Sequence, residues 1–273
     1  MVATPIGNLE DVSARALDSL ARADTIAAED TRVTARLLEH HHLHGKLIAV
    51  HEHNERQSAE RIIGELARGR TIALVTDAGT PGVADPGALV VARARAAGFR
   101  VIPIPGANAA VTALSAAGLT DAPFLFFGFL PPRSAARRKA LEPLRDLPYA
   151  LVFYEAPHRI VECVEDLSGV LGADRNVVIA RELTKMFEEI HRCPLSDATA
   201  WLRENPDRQR GEFVLIAEGA PAKEPGANWE PVLAALLEEM PLARAVKLTC
   251  KITGAKKNPV YERALSLAAK SRN

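Results

Sequence analysis

Over the first 105 residues, short apolar runs alternate with stretches of helical periodicity, and few architectures accept that alternation. Strands are expected at Ala3, Thr25–Ala28, Lys46–Val50, Thr71–Val75 and Arg100–Pro103, with helices at 12–22, 32–41, 55–68 and 86–97. Strands of about five residues separated by helices demand a mostly parallel sheet with helices on both faces. The fold class is therefore α/β.

The composition then shifts. FLFFGFLPPRSAARRK (124–139) runs an aromatic strand into a proline pair and a basic cluster, which reads as the start of a second α/β unit. Its further strands are expected at Ala150–Tyr154, Val177–Ala180 and Glu212–Ala217, and its helices near 157–171 and 196–203. APAKEPGANWEP (220–231) has linker composition. Three helical patterns follow, Pro231–Glu239, Leu242–Thr253 and Asn258–Lys270, the last two joined by GAKKN in the manner of a helix-turn-helix. The expected division is 1–118 and 119–219 as two α/β domains, 220–230 as linker and 231–273 as a small helical domain. A chain of 273 residues is long enough for these cores.

No apolar run approaches the roughly 20 residues of a membrane span, and MVATPIGN lacks signal-peptide organisation, so a cytoplasmic protein with no membrane partner is expected. Cys163, Cys193 and Cys250 are scattered without a CxxC pair, which suits buried thiols in a reducing compartment. The formal charge is zero but unevenly spread: residues 242–273 hold eight Lys or Arg against the single Glu262. A localised basic face is compatible with a nucleic-acid partner. The basic tail and Arg133, Arg137, Arg138 and Lys139 are candidates for contact with a nucleic-acid backbone; solvated helix faces are the plainer alternative.

Several strands run straight into glycine, proline or charge. Asp77, Ala78, Gly79, Thr80, Pro81 and Gly82 follow the strand TIALVT, at the carboxyl edge where open α/β sheets bind ligands. Glycine exposes backbone donors and acceptors there, and proline holds the loop open. Neither a P-loop nor a GxGxxG fingerprint is present. PIPGANAA (103–110), with Asn108 as a helix cap, and ATPIGN (3–8) are similar turns, so one shared crevice is expected. AAEDTR (27–32) sets Glu29, Asp30 and Arg32 at a strand end. FYEAPHR (153–159) and RELTK (181–185) bring Tyr154, Glu155, His158, Arg159, Arg181, Glu182 and Lys185 to comparable ends. Cations in the first turn of a helix oppose its dipole, which argues that His158 and Arg159 are not there for stability. Each stretch alone is also compatible with a ligand-free connection or solvated charge. His40, His41, His42 and His44 stand at a helix end, where imidazole is electrostatically favoured, while His51 and His53 follow a strand and are expected to line the crevice. No metal is expected.

Taken together, VATPIGNLEDVSARAL, AAEDTR, VTDAGTPGVADPG, PGAN, FYEAPHR and RELTKMFEEI resemble, in this order and spacing, the ribosomal small-subunit methyltransferase I family, a tetrapyrrole methylase-like group. PLARAVKLTCKITGAKKNPVYERAL is similar to that family's C-terminal helical domain. The resemblance implies S-adenosylmethionine-dependent 2′-O-methylation of a cytidine ribose in 16S rRNA, on the small ribosomal subunit, by a homodimer. It also implies two α/β domains of the tetrapyrrole methylase type with a cofactor cleft between them. By motif position, Pro5, Gly7, Asp77, Ala78, Gly79, Pro81, Gly82, Val83, Ala84, Asn108, Ala109, Tyr154, Glu212 and Phe213 would line the cofactor pocket. The family has apolar residues ahead of VATPIGN where this chain has only Met1, so the first strand is expected to be a stub; it also has Pro-Ser where this chain has Ala107-Asn108.

A ribose hydroxyl is a poor nucleophile, so alignment plus an assisting base or charge is expected. Glu29, Asp30, Glu155, His158 and Lys185 are the candidates around the hydroxyl, and Arg32, Arg159 and Arg181 those for substrate binding, with phosphates as the target of Arg32 and Arg159. Two other readings stay open: a small-molecule methyltransferase acting on a tetrapyrrole, and a non-catalytic RNA-binding assembly factor.

Overall fold

Thr25–Ala28 (β1) is buried along its whole length because it is the middle strand of a parallel three-stranded sheet. Its neighbours are Leu47–Ala49 (β2) and Ile72–Val75 (β3), paired as Ala28 with Ala49 and Ala28 with Val75. Helices α1 (Ala14–Arg22) and α2 (Thr31–His40) cover one face, where Leu20, Leu37 and Leu38 meet Ile26 and Ala28. Helices α3 (Glu55–Ala67) and α4 (Ala88–Ala96) cover the other, where Ile62 and Val90 meet Ala27 and Leu74. Period-two alternation along β1 therefore feeds two cores at once. The computed structural model describes residues 1–51, 54–120, 123–221 and 229–270.

The strands expected at Ala3 and Arg100–Pro103 are reduced to single bridges, Val2 to Ile104 and Thr4 to Gly79. The Val2 amide donates to Leu74 O and the Ile104 amide to Met1 O, so residues 2–4 do lie beside β3. Pro103 and Pro105 have no N–H to give, which stops the ladder after one rung.

Ala109–Ala116 (α5) leads into the second sheet, ordered β4-β5-β8-β6-β7. Its strands are Phe124–Phe129 (β4), Ala150–Glu155 (β5), Asn176–Arg181 (β6), Glu189–Pro194 (β7) and Phe213–Ala217 (β8). Only β4 and β5 pair in parallel; β8 returns antiparallel between β5 and β6, and β6–β7 is a hairpin. Helices α6 (Ser134–Leu141), α7 (Ile160–Leu171) and α8 (Leu195–Glu204) complete this half. Leu141, Leu167 and Leu202 bury against one face of the sheet, around Phe153 and Leu215. Ala110, Ala113 and Ala117 of α5 bury against the other, on Val152, Val178 and Ile216. Alanines at these positions let α5 approach the strands closely.

Arg137 corrects one expectation. It is fully buried, its Nε donating to Asp166 Oδ2 at 2.7 Å, and it cannot touch an RNA backbone. Residues Met1–Ala220 form one compact unit and Pro221–Asn273 another. The second holds α9 (Trp229–Glu239), α10 (Leu242–Thr253) and α11 (Lys257–Lys270), packed on Leu233, Val246, Val260 and Ala264. Gly254 closes α10 at φ 73°, the left-handed cap that turns the chain into α11. Among the described residues, no helix is long and apolar enough to cross a membrane.

Candidate functional site

The carboxyl ends of β1, β3 and β5 and the amino end of β8 carry the motif loops, and the chain ties these loops together. Thr4 and Gly79 exchange backbone hydrogen bonds of 2.9 and 3.0 Å, and Thr4 Oγ1 donates to Thr76 O at 3.0 Å. Thr80 Oγ1 donates to Ala107 O at 3.1 Å, joining the loop after β3 to the turn before α5. Gly79 has φ 80° and a Cβ there would stand 3.3 Å from Ile6 Cγ2, so the close approach needs glycine. Three non-glycine residues at these loops also take positive φ: Ala84 at 63°, Glu182 at 51° and Thr184 at 65°. Such conformations persist only where surrounding contacts impose them, and they gather at ligand sites.

A cavity of about 420 Å³ opens between these loops, within the usual range for a small-molecule site. From the expected cofactor residues, Ala78, Gly79 and Val83 supply one wall. Asn108 and Ala109 supply the lip at the start of α5, and Tyr154, Glu212 and Phe213 the wall from β5 and β8. Pro5, Gly7 and Asp77 line a second recess of about 240 Å³, which shares Ile6, Ala78 and Glu212 with the first. Pro81, Gly82 and Ala84 belong to the same loop but line neither space. Asn108 Oδ1 caps α5 by accepting from the Val111 amide, and the Tyr154 hydroxyl accepts from the Ala110 amide at 3.2 Å. Both side chains thus hold the start of α5 against the cavity.

Asp85, between the glycine-proline loop and α4, lines the larger cavity. Burial, and then the charges of Glu29 and Asp77, push its pKa up to about 6. Thr80 of the same loop also lines it, and Phe129 and Leu183 are further lining residues that the sequence did not single out. Phe129 packs edge-on to Tyr154 with centroids 5.6 Å apart.

The expected catalytic residues fall into two groups. Glu29 accepts from Thr76 Oγ1 at 2.6 Å, and Asp77 accepts from the Asp30 amide at 2.8 Å, so Glu29, Asp30 and Asp77 share one acidic corner. Asp30 also caps α2, and the guanidinium of Arg32 beside it holds its carboxyl at about 2. Arg32 itself points outward. Glu155 lies across the cavity with its side chain fully buried, accepting from the Ala156 amide at 2.8 Å and from Arg159 Nε at 2.7 Å. Arg159 Nη2 donates to Leu130 O, so this guanidinium is turned inward. His158 is exposed on the short turn Pro157–Arg159. Lys185 Nζ donates to Glu182 at 2.9 Å and Glu212 at 3.0 Å. Burial works against that charge, but the two carboxylates outweigh it and raise the pKa, so Lys185 remains a cation. Arg181 donates to Asp207 O at 3.1 Å and Glu189 at 3.2 Å, inside the second sheet's edge.

The histidine run is locally engaged: His40 Nε2 lies 2.8 Å from Glu10 Oε1, and His41 Nε2 lies 3.1 Å from Leu9 O. His51 is exposed, and His53 lies outside the described residues. Cys163 is buried, whereas Cys193 and Cys250 are half-buried. Among the described residues, no group of His, Cys, Asp or Glu is arranged to hold a metal ion.

Residues 1–199 match the family model of tetrapyrrole (corrin/porphyrin) methylases, and residues 223–268 match that of the RsmI C-terminal HTH domain. Proteins named ribosomal RNA small subunit methyltransferase I are similar along nearly the whole chain. The one from Escherichia coli O157:H7 is 49% identical over 97% of this chain and 93% of its own length. That from Pseudomonas aeruginosa is 46% identical over 99% and 98%. Among solved structures, diphthine synthase superposes with a TM-score of 0.63 at 17% identity, covering 79% of this chain and 87% of that one. The uroporphyrin-III C-methyltransferase of Thermus thermophilus, complexed with S-adenosyl homocysteine, gives 0.56 at 19%, covering 80% and 95%. These two show the fold. The chain belongs to the tetrapyrrole methylase family of methyltransferases, and within it to the ribosomal RNA small subunit methyltransferase I group.

Proposed function

We propose that this chain transfers a methyl group from S-adenosylmethionine to the ribose 2′-oxygen of a cytidine in 16S rRNA. The observation that carries the reading is end-to-end identity near one half with relatives of that name, combined with a cavity built by the matching motifs. The residues suit the donor. The cavity has the volume for a nucleoside-sized ligand, and Asp85 and Glu155 place carboxyl groups on its wall where a cationic ligand would be favoured. Pro5, Gly7, the 77–84 loop, Asn108, Ala109, Tyr154, Glu212 and Phe213 are proposed to hold it.

When bound, the donor supplies an electrophilic methyl carbon on a sulfonium. The protein's part is to bring the ribose oxygen in line with that carbon and to accommodate the hydroxyl proton as the oxygen–carbon bond forms and the sulfur–carbon bond breaks. Glu29, Asp30, Glu155, His158 and Lys185 are proposed to act around this oxygen. Lys185, held as a cation, suits electrostatic positioning rather than proton acceptance. Arg32, which is exposed, is proposed to meet a phosphate of the substrate, while Arg159 and Arg181 brace the site from within.

We further propose a cytoplasmic homodimer. Strand β4 is an edge of the second sheet and leaves Phe124 and Phe127 exposed, apolar surface that water disfavours. The deciding experiment is methylation of small subunits lacking the modification, with the modified nucleotide and atom mapped by mass spectrometry. A 2′-O-methylcytidine in the 16S rRNA is expected. Transfer to a base, to a tetrapyrrole, or to nothing at all would overturn the reading.

A further inference from the structure

Within the unit Pro221–Asn273, α10 divides its surface by charge. Ala245, Val246 and Thr249 are buried against α9 and α11, while Arg244, Lys247 and Lys251 are exposed. Spacings of three and four residues set these cations within an arc of roughly 60°. The arc lies opposite the buried side. They form one stripe along about 10 Å of helix axis.

Within this stripe, Lys251, in the last turn, stands where the helix dipole favours a cation. Lys247 and Lys251 are like charges one turn apart, which weakens a helix. Arg244 stands in the first turn, where the dipole disfavours a cation and no acidic residue compensates. Among the described residues, none of the three is in an ion pair; in this unit Arg263 pairs with Glu230. Lys256 in the turn after α10 and Lys257 at the start of α11, both exposed, continue the positive charge. From Asn258 to Ser266, α11 exposes Tyr261, Glu262 and Leu265, and its cation there, Arg263, is tied to Glu230. Helix-turn-helix units that read sequence do so from the second helix of the pair. Here, among the described residues, the stripe of unpaired exposed cations lies on the first helix and runs through the turn to Lys257, the first residue of α11.

We propose that α10 and the turn after it track the phosphates of double-helical RNA, and that α11 is not used to read base edges. Arg and Lys on one flank, spaced along an axis length comparable to a few phosphates of one strand, suit backbone contact. A-form RNA offers its backbone and shallow minor groove rather than a readable major groove. The inference rests on the rRNA-methyltransferase reading for its partner, yet it concerns a different surface and can fail separately.

The test uses the full chain and an arbitrary RNA duplex of about 20 base pairs without the methylation target, followed by fluorescence anisotropy from roughly 50 to 200 mM salt. The triple variant R244A/K247A/K251A should bind at least about tenfold more weakly at the low-salt end. Its log-affinity against log-salt slope should be flatter by about 2 to 3, reflecting three lost phosphate contacts. Donor affinity by calorimetry and mass by light scattering should match the parent. The paired variant Y261A/L265A should leave the slope unchanged. An unchanged slope in the triple variant, an equal loss in the α11 variant, or a parent that binds anionic-lipid vesicles but not RNA would each overturn the proposal. A parent that binds the duplex yet fails to methylate small subunits would support this surface while sinking the catalytic reading.

Discussion

Replacing Asp85 by Asn tests whether the cavity is built for a cation. In the free protein, burial and the neighbouring Glu29 and Asp77 raise the Asp85 carboxyl from 3.8 to about 6. A positively charged ligand in contact with it would favour ionisation and return the pKa toward its ordinary value. If the return is complete, linkage makes binding roughly tenfold tighter at about pH 7.5 than at about pH 5, with about half a proton released on binding at about pH 6 and most of one near pH 5. Calorimetry of S-adenosylmethionine binding in buffers of different ionisation enthalpy reads both quantities. Asp85→Asn should flatten the pH dependence and weaken binding at pH 7.5. Stability should move the opposite way. The folded pKa exceeds the unfolded one, so the native state holds this proton longer, and stability falls as pH rises from 3.8 through about 6. The empty Asn variant should therefore melt higher than the parent at pH 7.5. A variant that keeps the parent's pH profile of binding, or melts lower, would refute the argument.

Three other substitutions probe the frame around the site. Gly7→Ala would place a Cβ 2.6 Å from Lys185 Cγ and 3.0 Å from Leu183 O; a loss of about 1–3 kcal/mol is expected, read as a lower melting temperature with weakened donor binding. Arg137→Ala would leave Asp166 buried without its partner, and urea denaturation should show a loss of about 3–5 kcal/mol. Tyr154→Phe removes the acceptor for the Ala110 amide, so stability should fall by about 1 kcal/mol while donor affinity also drops.

How far the sequence spoke depended on how local each signal was. Strands β1, β3, β5 and β8 are buried and announce themselves as apolar runs. Strand β7, EIHRCP, is a half-exposed edge with no such run, and its existence follows only from pairing with β6. Ala3 and residues 100–103 read as strands because Ala3, Val101 and Ile102 are apolar, but hydrogen bonding is a backbone matter and two prolines cut it short. The candidate site was legible where glycine and proline punctuate strand ends. It was illegible where partners are far apart in the chain: Arg159 is drawn inward by Leu130, Arg181 by Asp207 and Arg137 by Asp166. Asp85 escaped notice because Asp before Pro is ordinary turn chemistry, and only the closeness of Glu29 and Asp77 gives it another character.

Ile6 stands between the two recesses, with Ala78 and Glu212 as the other shared surfaces. Because the two spaces share these surfaces, a substitution at Ile6 alters the wall of both at once. The size of residue 6 therefore sets the room on both sides, and neither space can be reshaped there without changing the other.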